Sequence, residues 1–146
     1  MKYRKLSHVV YKCDYHIVFV PKYRFRILKD EIKSLVEHDI KMLSEWKDVI
    51  VEEMNVQDNH VHLVVSIPPK VSVSEYMGIL KGKLAIKLFK SYPTLKKKPY
   101  WGNHFWQRGY FVNTVGINED MIKRYVKYQE KEEKKHENDS HNYKLF

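Results

Sequence analysis

Asn59-His60-Val61-His62-Leu63-Val64-Val65-Ser66-Ile67 is the stretch on which the fold turns. Aliphatic and β-branched residues dominate it, Asp58-Asn59 supplies turn chemistry before it, and Pro68-Pro69 stops it, so it reads as a strand over 60–67. Side chains in a strand alternate faces, which puts His60 and His62 together on one side and Val61 on the opposite, apolar side.

Working outward, residues 49–54 read as a short strand just upstream. Before it, Ile32, Leu35, Val36, Ile40, Leu43 and Trp46 recur at helical spacing, predicting a helix over 31–46 capped by Asp30. Earlier still, Tyr11, Cys13, Tyr15, Ile17 and Phe19 alternate with Lys12, Asp14 and His16, predicting one strand from Tyr11 to Val20 that Pro21 ends. Downstream, Ser72 or Ser74 starts a helix over 74–90 with Tyr76, Met77, Leu80, Leu84 and Leu88 along one side. Residues 109–114 read as a short fourth strand, and Asn118 or Glu119 opens a last helix. The order β-α-β-β-α-β predicts an α+β, ferredoxin-like or RRM-like antiparallel sheet with two helices on one face and an additional C-terminal helix.

At 146 residues the chain is read as one domain over 1–130, followed by a charged, mobile tail over 131–146. Lys and Arg number 27 against 18 Asp and Glu, a net charge of +9, which favours a polyanionic partner, nucleic acid before anionic membrane. Cys13 is the single cysteine, which excludes an intramolecular disulfide. No apolar run approaches the roughly 20 residues needed to span a bilayer, and Met1-Lys2-Tyr3-Arg4-Lys5 does not lead into a signal core. The expectation is a cytoplasmic protein with no membrane partner.

Two imidazoles on one strand face can bind one metal ion, since neutral imidazole is the commonest protein metal ligand. By spacing alone the pair is more often two exposed histidines at a strand edge. In the last helix, Tyr125 and Gln129 are i and i+4 and stack on one face about 5.4 Å apart along the axis. Taken singly, Tyr125 is an amphipathic core aromatic and Gln129 a solvated polar residue. Taken with the histidines they have a chemical logic. Two imidazoles and an amide oxygen can hold Mg²⁺ or Mn²⁺ with sites left for phosphate oxygens, and a tyrosine hydroxyl can attack a phosphodiester.

At this point the residues resemble a known family. His60-Val61-His62 matches the HUH signature, and Tyr125-Val126-Lys127-Tyr128-Gln129 matches a Tyr-x-x-x-Gln nucleophile helix. Residues 14–24 resemble the first strand, and residues 109–116 the last strand, of the single-tyrosine HUH transposases, the TnpA type of small insertion sequences. The resemblance spans roughly Tyr11 to Gln129 with the motifs in order. It implies cleavage and rejoining of single-stranded DNA marked by hairpins at element ends, through a 5′-phosphotyrosine and a free 3′-OH. By similarity, His60, His62 and Gln129 are metal ligands and Tyr125, carried on the C-terminal helix, is the nucleophile. The resemblance also implies a homodimer in which the tyrosine helix of one subunit can complete the site of the other.

For the polyanion, Lys22, Arg24 and Arg26 alternate after the first strand, Lys83, Lys87 and Lys90 line a helix face opposite the leucines, and Lys96, Lys97 and Lys98 form a basic loop beside Tyr100-Trp101. Basic groups interleaved with aromatics suit a hairpin or a single strand. The bland reading is a solvated helix face plus core tryptophans, the favoured one for Trp46. Two other functions fit the same topology: a domesticated relative that mobilises nothing, and an RRM-like binding module. The latter expects an RNP-type aromatic motif that the 60–65 stretch lacks.

Overall fold

A computed structural model of the chain describes residues 3–97 and 104–115. Cys13–Thr114 form one compact unit, and the N-terminal hairpin belongs to a second. In that hairpin β1 (Arg4–Leu6) pairs antiparallel with β2 (Val9–Tyr11) across a two-residue loop, with Arg4 opposite Tyr11.

The larger unit follows the predicted order. Its strands are β3 (Asp14–Phe19), β4 (Ile50–Gln57), β5 (His60–Ser66) and β6 (Phe111–Thr114), and its helices are α1 (Asp30–Trp46) and α2 (Val73–Ser91). The sheet runs β4-β5-β3-β6, every pair antiparallel, which is the ferredoxin-like arrangement. β5 and β3 are therefore the central strands. The alternation in β5 does what its sequence requires: Val61, Leu63 and Val65 are fully buried, while His60 and His62 are half-buried on the other face. Val61, Leu63 and Val65 join one core cluster with Ile17 and Phe19 of β3, Val36 and Ile40 of α1, and Tyr76, Leu80 and Leu84 of α2. Burying side chains of this size contributes roughly 1.5–3 kcal/mol each before entropy is counted. Both helices thus cover the face opposite the histidines.

Three local expectations are corrected. The strand expected from Tyr11 to Val20 is two strands, because Tyr11 pairs with Arg4 while Asp14 pairs with Ser66. Period-two alternation continues through Lys12-Cys13, so the sequence does not mark the change of partner. Asp30 does not cap α1: Lys29 is the N-cap with no side-chain hydrogen bond, and Asp30 itself has φ +51. Asp30 and Glu31 still place negative charge in the first turn, where the helix dipole favours it. Trp46 is not a core tryptophan; it is 65% exposed, with the Lys47 ammonium 5.2 Å from its ring centroid. It sits on the last residue of α1, past the point where the stripe still faces the sheet.

α2 starts at Ser72, not Ser74. The Ser72 hydroxyl accepts a hydrogen bond from the Glu75 amide at 3.0 Å, satisfying one of the orphan donors of the first turn. The expected C-terminal helix, with Tyr125 and Gln129, and the charged tail lie outside the described residues.

Candidate functional site

The turn Asp58-Asn59 delivers the chain into β5, and two contacts hold it. The Leu28 amide donates to the Asp58 carbonyl at 2.9 Å, and Arg26 lies 3.7 Å from the Asp58 carboxylate. Asn59 then reaches forward: its Oδ1 lies 2.9 Å from His60 Nδ1, so that nitrogen donates. This contact fixes the tautomer and leaves the Nε2 lone pair of His60 as the acceptor, or ligand, nitrogen.

Across the sheet, β4 places Asn55 opposite His62 and Gln57 opposite His60. The Gln57 amide donates to Asn55 Oδ1 at 2.6 Å, forming a polar rim on that side. On the other side, Val18 of β3 is directly opposite His62, and His16 is two residues along on the same face. His16 Nδ1 and His62 Nε2 lie 3.3 Å apart, with ring centroids at 5.5 Å and planes inclined by 30°. β6 adds Phe111 opposite Val18 and Asn113 opposite His16.

His60 and His62 open onto a cleft of about 470 Å³ whose other walls are Val18, Val20, Arg24 and Gln107. Arg24 enters from a short 3-10 turn, Lys22–Arg24, in which both Tyr23 (φ 58) and Arg24 (φ 54) are left-handed. For residues with a Cβ this conformation costs of order 1–3 kcal/mol each, so the surrounding structure has to enforce it. Backbone hydrogen bonds on either flank do so: Lys22 N–H to the Phe105 carbonyl and Gln107 N–H to the Val20 carbonyl, each 2.9 Å. One consequence is that Tyr23 and Arg24 face different spaces. Arg24 lines the histidine cleft, while Tyr23 lines a second cavity of about 560 Å³ with Lys22, Lys81, His104, Trp106 and Arg108. Gln107 belongs to both walls.

The segment between Gln107 and β6 is braced from the helix layer. Lys81 of α2 donates to the carbonyls of Gln107 (3.0 Å) and Gly109 (2.6 Å), and Gly109 has φ +84, where a side chain would be strained. Burial lowers the Lys81 pKa from its ordinary value. Lys81 is thus a structural pin that its sequence neighbourhood, full of lysines, did not single out.

His60, His62 and Arg24 therefore meet in one place, as their sequence positions allow but do not require. Lys22 is in the adjoining cavity. Arg26 is exposed and turned to Asp58; Lys83, Lys87 and Lys90 are exposed on α2; Lys96 and Lys97 are exposed on and just after a 3-10 turn, Pro93–Lys96. Trp106 is buried in the core, while Lys98 and Trp101 lie outside the described residues. His16 is the residue that sequence reasoning missed. Its signal was present: the first and third strands of a βαββαβ sheet are neighbours, and His16 has the parity of the exposed face.

Chemically, the cleft presents two imidazoles and a guanidinium. The donor set fits a divalent cation: nitrogen ligands on one strand face, one of them oriented by an amide oxygen. Among the described residues, no three His, Cys, Asp or Glu side chains already converge on one point, so a further donor is required. No described helix is long and apolar enough to cross a membrane.

Known proteins are similar to this chain in sequence and in fold. Residues 9–129 match the family described as IS200-like transposases. The chain is 43% identical over 131 residues to the transposase for insertion sequence element IS200 of Salmonella typhimurium, covering 90% of this chain and 86% of that one. It is 30% identical over 134 residues to the ISDra2 transposase TnpA of Deinococcus radiodurans, covering 91% and 95%. Among solved structures, a candidate transposase of Deinococcus radiodurans R1 superposes with a TM-score of 0.69 at 27% identity, covering 86% of this chain and 97% of that one. A REP-associated tyrosine transposase bound to a REP hairpin shares the fold at a TM-score of 0.55 and 13% identity, covering 88% and 70%.

Proposed function

Because this chain belongs to the IS200-like transposase family, we propose that it cleaves and rejoins single-stranded DNA at hairpin-marked ends of an insertion sequence, with Tyr125 as nucleophile. The observation that carries this reading is the cleft in which His60, oriented by Asn59, His62 and Arg24 face one space. A phosphodiester fits that space by charge: the Arg24 guanidinium offers paired N–H donors to phosphate oxygens.

His60 and His62, with the Gln129 amide oxygen, would hold a divalent ion, Mg²⁺ or Mn²⁺, which would supply Lewis-acid neutralisation of phosphate charge. The residues of the chain do the rest. Asn59 keeps His60 in the tautomer that offers Nε2. The Tyr125 hydroxyl gives up its proton to water, its oxygen bonds to phosphorus, and the P–O3′ bond breaks. The departing 3′ oxygen takes up a proton, and the 5′ phosphate stays on the tyrosine. Rejoining reverses these steps: an incoming 3′-OH attacks phosphorus and Tyr125 leaves. The phosphodiester energy is conserved, so no nucleotide cofactor is needed.

Lys83, Lys87, Lys90, Lys96 and Lys97 are exposed cations available to a hairpin stem, and Lys22 and Arg24 to the strand entering the cleft. The REP-associated relative, whose structure holds a bound REP hairpin, supports that form of DNA. In this reading residues 1–130 work as one domain, in a homodimer whose tyrosine helices can be shared.

The test is incubation with hairpin-containing single-stranded DNA and Mg²⁺ or Mn²⁺, followed by a denaturing gel. A covalent adduct lost in Tyr125→Phe and kept in Tyr128→Phe supports the proposal. No adduct with any hairpin substrate would leave a nucleic-acid-binding module instead.

A further inference from the structure

We propose that the cavity beside the histidine cleft seats an unpaired base of the single-stranded DNA, with Tyr23 as the ring on which that base stacks. This rests on the reading of the histidine cleft as the place of the phosphodiester. The two spaces share a wall, since Gln107 lines both. They are also served by consecutive residues of one turn: Arg24 lines the cleft and Tyr23 the cavity, both with left-handed backbone. A strand whose phosphate meets Arg24 is thus brought beside Tyr23, because neighbouring Cα atoms are only about 3.8 Å apart.

The cavity has the make-up of a nucleotide site. Its volume of about 560 Å³ lies within the range of about 300–1,000 Å³ usual for small-molecule sites. Part of its wall is apolar and fixed: Phe105 and Trp106 are buried and packed edge to face, with ring centroids 4.8 Å apart. Lys22 and Arg108 bring positive charge to the walls, and no Asp or Glu among the described residues lines them. Lys81 is already committed to the carbonyls of Gln107 and Gly109, so contacts to phosphate fall to Lys22 and Arg108. An apolar peptide would gain nothing from these cations, whereas a polyanion would.

Tyr23 itself is out of place for a structural aromatic. It is 69% exposed, yet its ring is braced: Phe25 meets it edge to face with centroids 5.6 Å apart, and the Lys22 ammonium is 5.3 Å from its centroid. A ring that served only the core would be buried. This one is held in solvent at the cavity wall by a backbone conformation that residues with a Cβ seldom adopt. A rigid, exposed ring is what base stacking needs, and such stacking tolerates any sequence because every base has a π face. The Lys22 ammonium beside the ring then offers a charge partner to the phosphate of the stacked nucleotide.

The experiment is a fluorescence-anisotropy titration of the full chain in EDTA, where binding is read without cleavage. The probes are a labelled oligo(dT) of about ten nucleotides and an abasic oligonucleotide of the same length, which carries the same phosphates and no bases. Tyr23→Asn removes the ring and suits the left-handed turn, since Asn is enriched there. It should bind oligo(dT) about 5- to 150-fold more weakly, the usual span for loss of one stacking ring, and bind the abasic probe as wild type does. Tyr23→Phe keeps the ring and should keep the wild-type preference for oligo(dT). Arg108→Ala should weaken both probes alike and lower the salt slope by about 0.7. If Tyr23→Asn affects both probes equally, or neither, the base site is overturned. An unchanged salt slope in Arg108→Ala would overturn the phosphate contact. If the Tyr23 effect is confined to oligo(dT) but wild type forms no covalent adduct with hairpin DNA and Mn²⁺, the cleavage reading fails and a base-binding cavity remains. Circular dichroism of each variant separates these results from misfolding.

Discussion

The hydroxyls of Ser44 on α1 and Tyr76 on α2 are 2.7 Å apart, both almost fully buried, and form a polar tie between the two helices inside an apolar layer. Burial pushes the Tyr76 pKa up to about 12, with the Ser44 hydrogen bond acting in the opposite direction. The folded state therefore selects the neutral phenol. Its stabilising contribution is fully present below the unfolded pKa of about 10 and is lost as pH rises towards about 12. Two pKa units correspond to roughly 3 kcal/mol. Melting curves of wild type should fall more steeply than those of Tyr76→Phe between these pH values. At neutral pH the variant should be less stable by about 1–3 kcal/mol, because Ser44 is left without its partner. Parallel curves across this alkaline range would contradict this account.

A second outcome concerns the core beneath the histidines. Leu63→Ala removes a fully buried side chain from the central strand, and such truncations cost about 2–5 kcal/mol. Denaturant unfolding should show that loss as a lower midpoint with little change in slope.

Asn59→Ala tests whether orientation of His60 matters apart from its presence. The side chain touches the ring, not the core, so thermal stability should hold within about 0.5 kcal/mol. Mn²⁺ affinity should fall about 10-fold or more, as expected when the group that orders a metal-binding imidazole is removed. Equal Mn²⁺ affinity in variant and wild type would remove Asn59 from this role.

The exposed lysines of α2 predict a salt effect. Each phosphate contact contributes about 0.7 to the salt slope on single strands and about 0.9 on duplex. Lys83→Ala/Lys87→Ala should therefore lower the slope for hairpin binding by about 1.4–1.8 and leave adduct formation intact at saturating DNA. An unchanged slope would mean that this face does not meet DNA.

The layout of the sheet and its helices was legible in the sequence because periodicity records which face is buried. Val61, Leu63 and Val65 alternate with the histidines, and Tyr76, Leu80, Leu84 and Leu88 repeat at helical spacing, so both layers follow from the pattern alone. Partners are recorded less well. Alternation runs unbroken from Tyr11 to Phe19, although Tyr11 and Asp14 belong to different ladders. The stripe of α1 includes Trp46 by spacing, yet the helix ends where that residue meets solvent. The site was half legible. His60, His62 and Arg24 converge as their motif and charge suggested, whereas His16 needed the register of β3 on β5, which no local pattern encodes. Lys81 looks like the lysines around it until its two carbonyl partners are seen.

The central position of β5 and β3 has a consequence for how the site survives thermal motion. His16 and His62 are 46 residues apart in sequence and are brought together only by the innermost strand pair of the sheet. Closing so long a loop carries an entropic cost that local contacts cannot offset, so this pairing forms with the cooperative unit and not ahead of it. Fraying at the ends begins with edge elements such as the four-residue β6, which lies on the far side of β3 from β5. The two rings should therefore keep their relation until the whole unit unfolds, so that loss of the site and loss of the fold are one event.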